Sequence, residues 1–228
     1  MLEAIVFDFD GVLANSEPLH FLAFRDVLAE DGLTLDEADY YARYLGFDDV
    51  GAFEAIARDR GRTWTAAQVR EAVARKAVRM EILERDHSAL FPGAADAVRR
   101  AAARLPIAIA SGALGAEILR VLEREGLRDC FTAVVSANDT PASKPAPDPY
   151  LLALSRLSSR VGRALPANRC VALEDSLWGL QSARRAGLRT VAVAQTYRAE
   201  TFDGGHADLV IASIGDLDLP RLAQLCAD

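Results

Sequence analysis

Residues 2–13 read LEAIVFDFDGVL, and this stretch decides the fold class. Its first part, Leu2–Phe7, is almost entirely apolar, and Asp8, Asp10 and Gly11 come directly after it. Short, nearly continuous apolar runs are typical of strands that are buried on both faces of a parallel sheet. We therefore predict a buried first strand that ends in an acidic turn.

Similar apolar runs recur along the chain, each followed by polar or small residues. They are Pro106–Ala110, Ala133–Val135, Cys170–Leu173, Thr190–Ala194 and Ala207–Ile211. Helical patterns lie between these runs, and one of them ends at Gly187, a residue type that suits the position after a helix. Alternating strands and helices predict an α/β fold with a doubly wound, Rossmann-like parallel sheet.

The interval from residue 16 to residue 87 interrupts this alternation, because it contains no run of the buried-strand type. Its patterns predict helices at Leu19–Glu30, Asp36–Tyr44 and Val50–Arg60, and a long helix that Thr65 and Gln68 open as a capping box. We therefore predict an all-helical cap domain at residues 16–87. It would be inserted into an α/β catalytic core made of residues 1–15 and 88–228.

The composition restricts the classes of function. The chain has 228 residues, of which 51% are hydrophobic, and a formal net charge of −7. These values indicate a globular protein and disfavour a nucleic-acid partner. No apolar run approaches the roughly 20 residues that span a bilayer, so we expect no membrane partner. The three cysteines are scattered and no signal-peptide pattern precedes Asp8, so we expect a cytoplasmic protein.

The acidic turn after the first strand is the first candidate for chemistry. In an open parallel sheet, ligands bind at the carboxyl ends of the strands. A carboxylate at Asp8 can bind a hard cation or act as a covalent nucleophile, and Asp10 is near enough to act on the same centre. Gly11 allows a tight turn with N–H groups open to an anion. The alternative is an ordinary strand-end turn, where Asp and Gly are common.

Three further clusters follow later strands, and each has an ordinary alternative. Ser111 and Gly112 form an anion site or a simple helix cap. Lys144, in a proline-rich loop, binds a phosphate or is an exposed lysine. Glu174 and Asp175 bind a cation or are acids at a helix start. Because parallel strands end at one edge of the sheet, we predict that all four clusters converge on one pocket.

At these residues the chain resembles the haloacid dehalogenase-like (HAD) hydrolase superfamily. It looks like the branch with a helical cap after the first motif, which includes β-phosphoglucomutase-like and phosphoglycolate phosphatase-like enzymes. The resemblance runs from Ile5 to about Ile211. It implies an Mg²⁺-dependent phosphoric monoester hydrolase whose partner is a small phosphate monoester, such as a sugar phosphate.

The resemblance also implies roles for the acids. Asp8 would attack the substrate phosphorus and form an aspartyl-phosphate. Asp10 would first protonate the leaving oxygen and then activate the water that hydrolyses the intermediate, which is general acid–base catalysis by one carboxyl. Mg²⁺ would be held by the side chains of Asp8 and Asp175 and the carbonyl of Asp10, with Glu174 a further ligand or a close neighbour.

The remaining roles implied by the resemblance concern phosphate binding. Ser111, with the backbone near Gly112 and Gly11, would hold the transferring phosphoryl group. Lys144 would bridge this group and the nucleophile, and so supply a positive charge that the acidic chain lacks globally. His20, on the first cap helix, would help to position the general acid; the alternative is a solvated histidine.

The cap loop bears on the choice between phosphatase and mutase. β-Phosphoglucomutases have a Lys-Gly followed by an Arg in this loop, whereas residues 45–49 here read LGFDD. Two acids, Asp48 and Asp49, would repel a second phosphate, so we predict hydrolysis, although Arg43 lies close. The alternatives are a β-phosphoglucomutase-like phosphosugar mutase and a non-catalytic phosphometabolite-binding module. We expect a monomer or a weak homodimer.

Overall fold

The computed structural model describes residues 1–44, 47, 49–86 and 89–227. These residues form two compact units. One unit contains Met1–Asn15 together with Leu90–Asp228, and the other contains Ser16–Ala89. Among the described residues, no helix is both long enough and apolar enough to cross a membrane.

The first unit contains a six-stranded sheet in which every pairing is parallel. The strands are β1 Ala4–Phe7, β2 Ile107–Ala110, β3 Ala133–Val135, β4 Cys170–Glu174, β5 Arg189–Val193 and β6 Leu209–Ile211. The α/β, Rossmann-like fold class is therefore confirmed. All six predicted strands are present, and their observed ends differ from the predicted ends by at most two residues.

The described helices lie on both units and are numbered here along the chain. They are α1 Glu17–Glu30, α2 Glu37–Asp39, α3 Asp49–Asp59, α4 Ala66–Asp86, α5 Ala94–Ala102, α6 Gly115–Arg124, α7 Asp148–Val161, α8 Leu177–Arg185 and α9 Leu219–Leu225. The first four belong to the second unit, and the last five connect or flank the strands of the first.

The strand order decides where a ligand can bind. The order β3-β2-β1-β4-β5-β6 means that the chain builds the sheet outward from β1 in one direction and then returns to add β4 on the other side of β1. At such a switch point, the loops that leave the two neighbouring strands diverge and open a crevice at their carboxyl ends. The crevice of this sheet therefore lies beyond β1 and β4.

Burial explains why these short strands are stable. Every residue of β1 and β4 is buried, as expected for central strands that are covered on both faces. On one face, Val6 and Ala172 of the central strands belong to the same apolar cluster as Tyr150 and Leu157 of α7. The cluster fixes α7 against the sheet, and with it the loop that precedes α7.

The second unit has its own apolar core, in which Phe24 of α1, Phe53 of α3 and Val69 of α4 are buried together. The predicted capping box at the start of α4 is confirmed. The N–H of Thr65 donates to Oε1 of Gln68 at 2.9 Å, and the N–H of Gln68 donates to Oγ1 of Thr65 at 3.3 Å. The two reciprocal bonds pair N–H groups that an α-helix leaves free at its start.

The helical segment predicted from Asp36 to Tyr44 is present, but it is not a regular α-helix throughout. It begins as α2, and a wider π-helical turn, Tyr40–Tyr44, follows directly. The wider turn buries the rings of Tyr40 and Tyr44. Their hydroxyls donate to carboxylates, that of Tyr40 to Glu17 at 2.7 Å and that of Tyr44 to Asp59 at 2.9 Å. These tertiary bonds outweigh the local preference for a regular helix.

Candidate active site

The predicted core site residues lie at the carboxyl edge of the sheet. Asp8 directly follows β1, Ser111 directly follows β2, and Glu174 is the last residue of β4, with Asp175 next. Lys144 does not follow a strand directly, because it lies in the loop between β3 and α7. Since β1 and β4 are neighbours, the acids of the two motifs meet at the switch point of the sheet.

The backbone fixes the carboxylate of Asp8, which is 7% exposed. The N–H of Asp8 donates to the carbonyl of Leu173 at 2.9 Å, which continues the pairing of β1 with β4 by one residue. Its Oδ1 atom accepts the N–H of Phe9 at 2.7 Å. The backbone at the end of β1 therefore helps to fix this carboxylate.

Lys144 lies between two acids. Its Nζ atom is 2.8 Å from Oδ1 of Asp8 and 2.6 Å from Oε1 of Glu174. Burial, and then the charge of Glu174, raise the pKa of Asp8 well above its ordinary value, although Lys144 opposes this shift. Burial alone would lower the pKa of Lys144, but the two carboxylates outweigh burial and raise it. The ammonium group therefore stays charged.

Glu174 is fully buried, and two hydroxyl groups hold it. The hydroxyl of Tyr150 donates to Oε1 at 2.7 Å, and Oγ of Ser176 donates to Oε2 at 3.1 Å. The sequence analysis missed both contacts. The apolar face of α7 predicts that Tyr150 is buried, but nothing in the sequence indicates the acid that its hydroxyl meets.

Three buried acids form one cluster, in which Asp8, Glu174 and Asp175 each offer a carboxylate oxygen and these atoms lie within 4.8 Å of one another. Gly11 makes the cluster possible, because its φ is +74° and a Cβ atom there would lie 1.9 Å from Oδ2 of Asp175. Burial, and then the charge of Glu174, raise the pKa of Asp175 from 3.8 to about 6.

The charges of this cluster fit a divalent cation. Its three carboxylates face one ammonium group, that of Lys144, so two negative charges lack a counter-charge when all the acids are ionised. Buried charges are costly unless they are balanced. Carboxylate oxygens are also the ligands that hard divalent cations prefer. The residues present therefore suit a metal of this kind.

Ser111 and Gly112 form the turn after β2. Ser111 is 3% exposed, and its Oγ atom accepts the N–H of Ala113 at 3.0 Å. Helix α6 begins at Gly115, with Leu114 as its cap, so the alternative in which Ser111 caps the helix is wrong. The loop between β2 and α6 is too long for Ser111 to cap the helix. Ser111 therefore stays at the end of β2.

Gln195 holds the turn that contains Gly11, and the sequence analysis missed it. Its Nε2 atom donates to the carbonyls of Gly11 and Val12 at 3.1 and 2.8 Å, and its Oε1 atom accepts the N–H of Ile214 at 3.0 Å. Its place two residues after β5, at the same edge as the other motifs, is the signal that could have found it. Asp10, in the same turn, is exposed.

The remaining predicted residue, His20, lies on α1 in the second unit. Its Nδ1 atom is 2.9 Å from Nζ of Lys76, a residue of α4 that is 1% exposed. Lys76 also forms an ion pair with Asp49, and its Nζ atom lies 4.2 Å from the ring centroid of Phe24. The core and the cap thus each contain a buried lysine paired with an acid.

This ion pair changes the argument from the cap loop. Of the LGFDD stretch, Leu45, Gly46 and Asp48 lie outside the described residues. Asp49 is described, and its negative charge faces the ammonium group of Lys76. Asp49 is therefore not an unbalanced acid that repels a second phosphate, and the preference for hydrolysis needs other support.

A Rossmann-like sheet with a buried, lysine-paired carboxylate at its switch point is typical of α/β enzymes, and the acids beside it could hold a cation. A model of the haloacid dehalogenase-like hydrolase family matches residues 2–187. The chain belongs to this family, so the predicted superfamily, with its helical-cap branch, is confirmed.

Individual relatives cover most of the chain. The plasmid protein CbbY of Cupriavidus necator is 34% identical over 94% of this chain and 87% of its own length. The fructose-1-phosphate phosphatase YqaB of Escherichia coli is 33% identical over 83% of this chain and 95% of its own length. Family and relatives together make this chain a hydrolase of the phosphatase class.

A solved structure agrees with these relatives. It is a crystal structure of a CbbY variant from Rhodobacter sphaeroides in complex with xylulose-(1,5)bisphosphate. Its sequence is 29% identical to this chain, and the TM-score is 0.75. The match covers 97% of this chain and 99% of the CbbY chain. The likeness extends over both units of the chain, since the coverage is nearly complete.

Proposed function

We propose that this hydrolase removes phosphate from a small phosphorylated sugar and that Asp8 is its nucleophile. The observation that carries the proposal is the buried carboxylate of Asp8, 2.8 Å from the ammonium group of Lys144 at the switch point of the sheet. Phosphoryl transfer needs positioning and charge neutralisation above all. The fructose-1-phosphate phosphatase and the sugar bisphosphate bound by the CbbY variant support this substrate class.

In the first step, a carboxylate oxygen of Asp8 attacks the phosphorus atom. The bond between phosphorus and the sugar oxygen breaks, and the carboxyl of Asp10 gives its proton to that oxygen. The products are the free sugar alcohol and an aspartyl-phosphate at Asp8. Asp10 suits this role because it is exposed, two residues after the nucleophile, where a leaving group has access to it.

In the second step, Asp10 is a carboxylate and takes a proton from water. The oxygen of this water attacks the phosphorus atom, and the bond between phosphorus and Asp8 breaks. Inorganic phosphate leaves, Asp8 is again a carboxylate, and Asp10 is again protonated. One carboxyl group therefore acts as acid and then as base.

The other site residues hold the phosphoryl group during both steps. The hydroxyl of Ser111 and the N–H groups near Gly112 and Gly11 would bind its oxygens. Lys144 would offset the repulsion between those oxygens and the acids, since it is already 2.8 Å from Asp8.

We further propose Mg²⁺ as the cofactor. The side chains of Asp8 and Asp175 and the carbonyl of Asp10 would hold the ion, with Glu174 a further ligand or a close neighbour. The support is the excess of carboxylates over ammonium groups in the buried cluster. When bound, Mg²⁺ would neutralise negative charge on the phosphoryl oxygens and so allow one anion to approach another.

The test is the release of inorganic phosphate by purified protein. A panel of sugar phosphates, including fructose 1-phosphate, is assayed with Mg²⁺ and with excess chelator. We expect release with Mg²⁺ only, and loss of at least about 1,000-fold for Asp8→Asn, since the nucleophile is removed. The matched control is Asp129→Asn, the same change at an exposed acid outside the site. Full activity of Asp8→Asn would refute the mechanism.

The second candidate is a phosphosugar mutase. The observation that keeps it open is the ion pair between Asp49 and Lys76, which removes the repulsion expected from this acid. The protein is given a sugar 1-phosphate with a trace of the corresponding bisphosphate. Isomerisation without net release of phosphate would favour the mutase, and stoichiometric release would favour the phosphatase.

Two other expectations stay predictions. They are the cytoplasmic location and the monomeric or weakly dimeric state. Sedimentation at several protein concentrations measures the second, since a weak dimer dissociates on dilution.

A further inference from the structure

We propose that Tyr150 is a positioning residue for phosphoryl transfer: its hydroxyl fixes the carboxylate of Glu174, which in turn holds Lys144 against Asp8. The inference rests on the function proposed above. It adds a residue outside the four sequence motifs, and one that does not touch the reacting atoms.

The contacts form a short chain that ends at the nucleophile. Tyr150 is fully buried in the first turn of α7, and its hydroxyl donates to Oε1 of Glu174 at 2.7 Å. The same oxygen lies 2.6 Å from Nζ of Lys144, which lies 2.8 Å from Oδ1 of Asp8. Lys144 also lies over the tyrosine ring, with Nζ 5.4 Å from the ring centroid.

The other side of Glu174 is closed. Oγ of Ser176 donates to Oε2 at 3.1 Å. Helix α8 passes so close that a Cβ atom at Gly179 would lie 1.9 Å from the carboxyl carbon of Glu174. Packing and Ser176 therefore restrict the carboxylate on this side, while Tyr150 and Lys144 hold Oε1 on the other. Without the phenol, Lys144 is the donor that remains at Oε1, and the two side chains are free to move together away from Asp8.

Packing alone does not explain a tyrosine at this position. A phenylalanine would fill the same space, and a buried hydroxyl is costly unless it is hydrogen-bonded. Among the residues that the structure describes, the hydroxyl of Tyr150 donates to Glu174, so its effect reaches the site through that carboxylate.

The experiment compares Tyr150→Phe with Tyr44→Phe. Tyr44 is also buried and also donates to a carboxylate, that of Asp59 at 2.9 Å, but it lies in the cap unit and has no place in the proposed mechanism. With saturating Mg²⁺, we expect kcat to fall at least about 10-fold for Tyr150→Phe, with KM changed less than about 3-fold. For Tyr44→Phe we expect kcat within about 2-fold of the unmodified protein.

A double-mutant cycle separates positioning from general destabilisation. If Tyr150 acts through Glu174, then adding Tyr150→Phe to Glu174→Ala should lower kcat further by less than about 3-fold. Thermal unfolding of each variant shows whether it is folded. An unfolded Glu174→Ala still leaves the comparison of the two tyrosine variants decisive. Equal kcat for these two variants, or the same loss from Tyr150→Phe in both backgrounds, would overturn the proposal.

A binding measurement keeps this proposal separate from the proposed function. Orthovanadate, which resembles the transition state of phosphoryl transfer, is titrated calorimetrically with Mg²⁺ present. We expect its dissociation constant to rise about 10-fold for Tyr150→Phe and to stay unchanged for Tyr44→Phe. If no sugar phosphate is hydrolysed, the proposed function fails, and the vanadate result still decides whether Tyr150 positions the anion site.

Discussion

A Cβ atom at Gly11 would lie 1.9 Å from Oδ2 of Asp175, so the turn after β1 and the acid after β4 fit together only with glycine at residue 11. The two residues are 164 positions apart in the chain and meet because β1 and β4 are neighbours. The cluster of acids at the switch point therefore depends on the backbone of the first motif as much as on its side chains.

The variant Gly11→Ala tests this relationship. We expect phosphate release to fall by at least about 100-fold, because the added carbon displaces Asp175 or the turn by about an ångström. The control is Gly162→Ala, at a φ of +79° with no atom within 4 Å of the added carbon. It should lose about 1–2 kcal/mol of stability from the backbone alone and keep its activity. Similar activity of the two variants would contradict the account.

The pKa of Asp175 predicts how stability depends on pH when metal is absent. The pKa is 3.8 ordinarily and about 6 in the folded protein, so the folded state binds more protons than the unfolded state between these values. The free energy of unfolding should therefore fall as the pH rises from about 4 to about 6, by up to about 3 kcal/mol from this group. Urea denaturation in chelator measures it.

Two variants serve as references for that measurement. Asp175→Asn should show a smaller fall than the unmodified protein over the same range. Asp139→Asn should show nearly the same fall, because Arg156 lowers the pKa of Asp139 to about 2 in the folded protein and above about pH 4 this acid is mostly ionised in both states. Identical pH profiles for the unmodified protein and Asp175→Asn would show that the raised pKa is absent.

The side chain of Gln195 makes three hydrogen bonds that hold the motif turn, two of them to the carbonyls of Gly11 and Val12. We expect Gln195→Ala to lower the free energy of unfolding by about 1–3 kcal/mol and to lower kcat, since the turn carries Asp10. Gln224→Ala, at an exposed glutamine of α9, is the matched control and should be neutral. A neutral Gln195→Ala would mean that the turn does not need this support.

The ion pair of Asp49 with the buried Lys76 predicts a cost in stability. We expect Asp49→Asn to lower the free energy of unfolding by about 1–3 kcal/mol, because a buried ammonium group loses a charge partner. Asp31→Asn removes the same charge from an exposed pair with Arg75 and should cost less than about 1 kcal/mol. Equal losses in chemical denaturation would show that burial of Lys76 does not matter.

The sequence predicted the sheet and the acids because both leave a local signal. Each buried strand is an apolar run, and each motif acid follows such a run directly. Lys144 was predicted because it lies in a proline-rich loop. Its distance from Asp8 depends on the packing of α7, so the sequence could not predict that distance. Tyr150 and Gln195 were missed because their partners are distant in sequence.

The burial of Lys76 could have been predicted from the sequence. Residues 69, 73, 76, 80 and 83 follow the spacing of one helix face, and the other four are apolar. A lysine in such a row should be buried and therefore paired, which the structure shows. The π-helical part of the segment Asp36–Tyr44 left no such signal, since hydrogen bonds from Tyr40 and Tyr44 to acids elsewhere in the chain accompany it.

The central claim is that Asp8 becomes phosphorylated. The most direct measurement quenches the protein with acid during turnover of a sugar phosphate and identifies the modified residue by mass spectrometry. We expect a phosphoryl group on Asp8, and none in the Asp8→Asn variant. A phosphoryl group on another residue, or steady release of phosphate by Asp8→Asn, would contradict it.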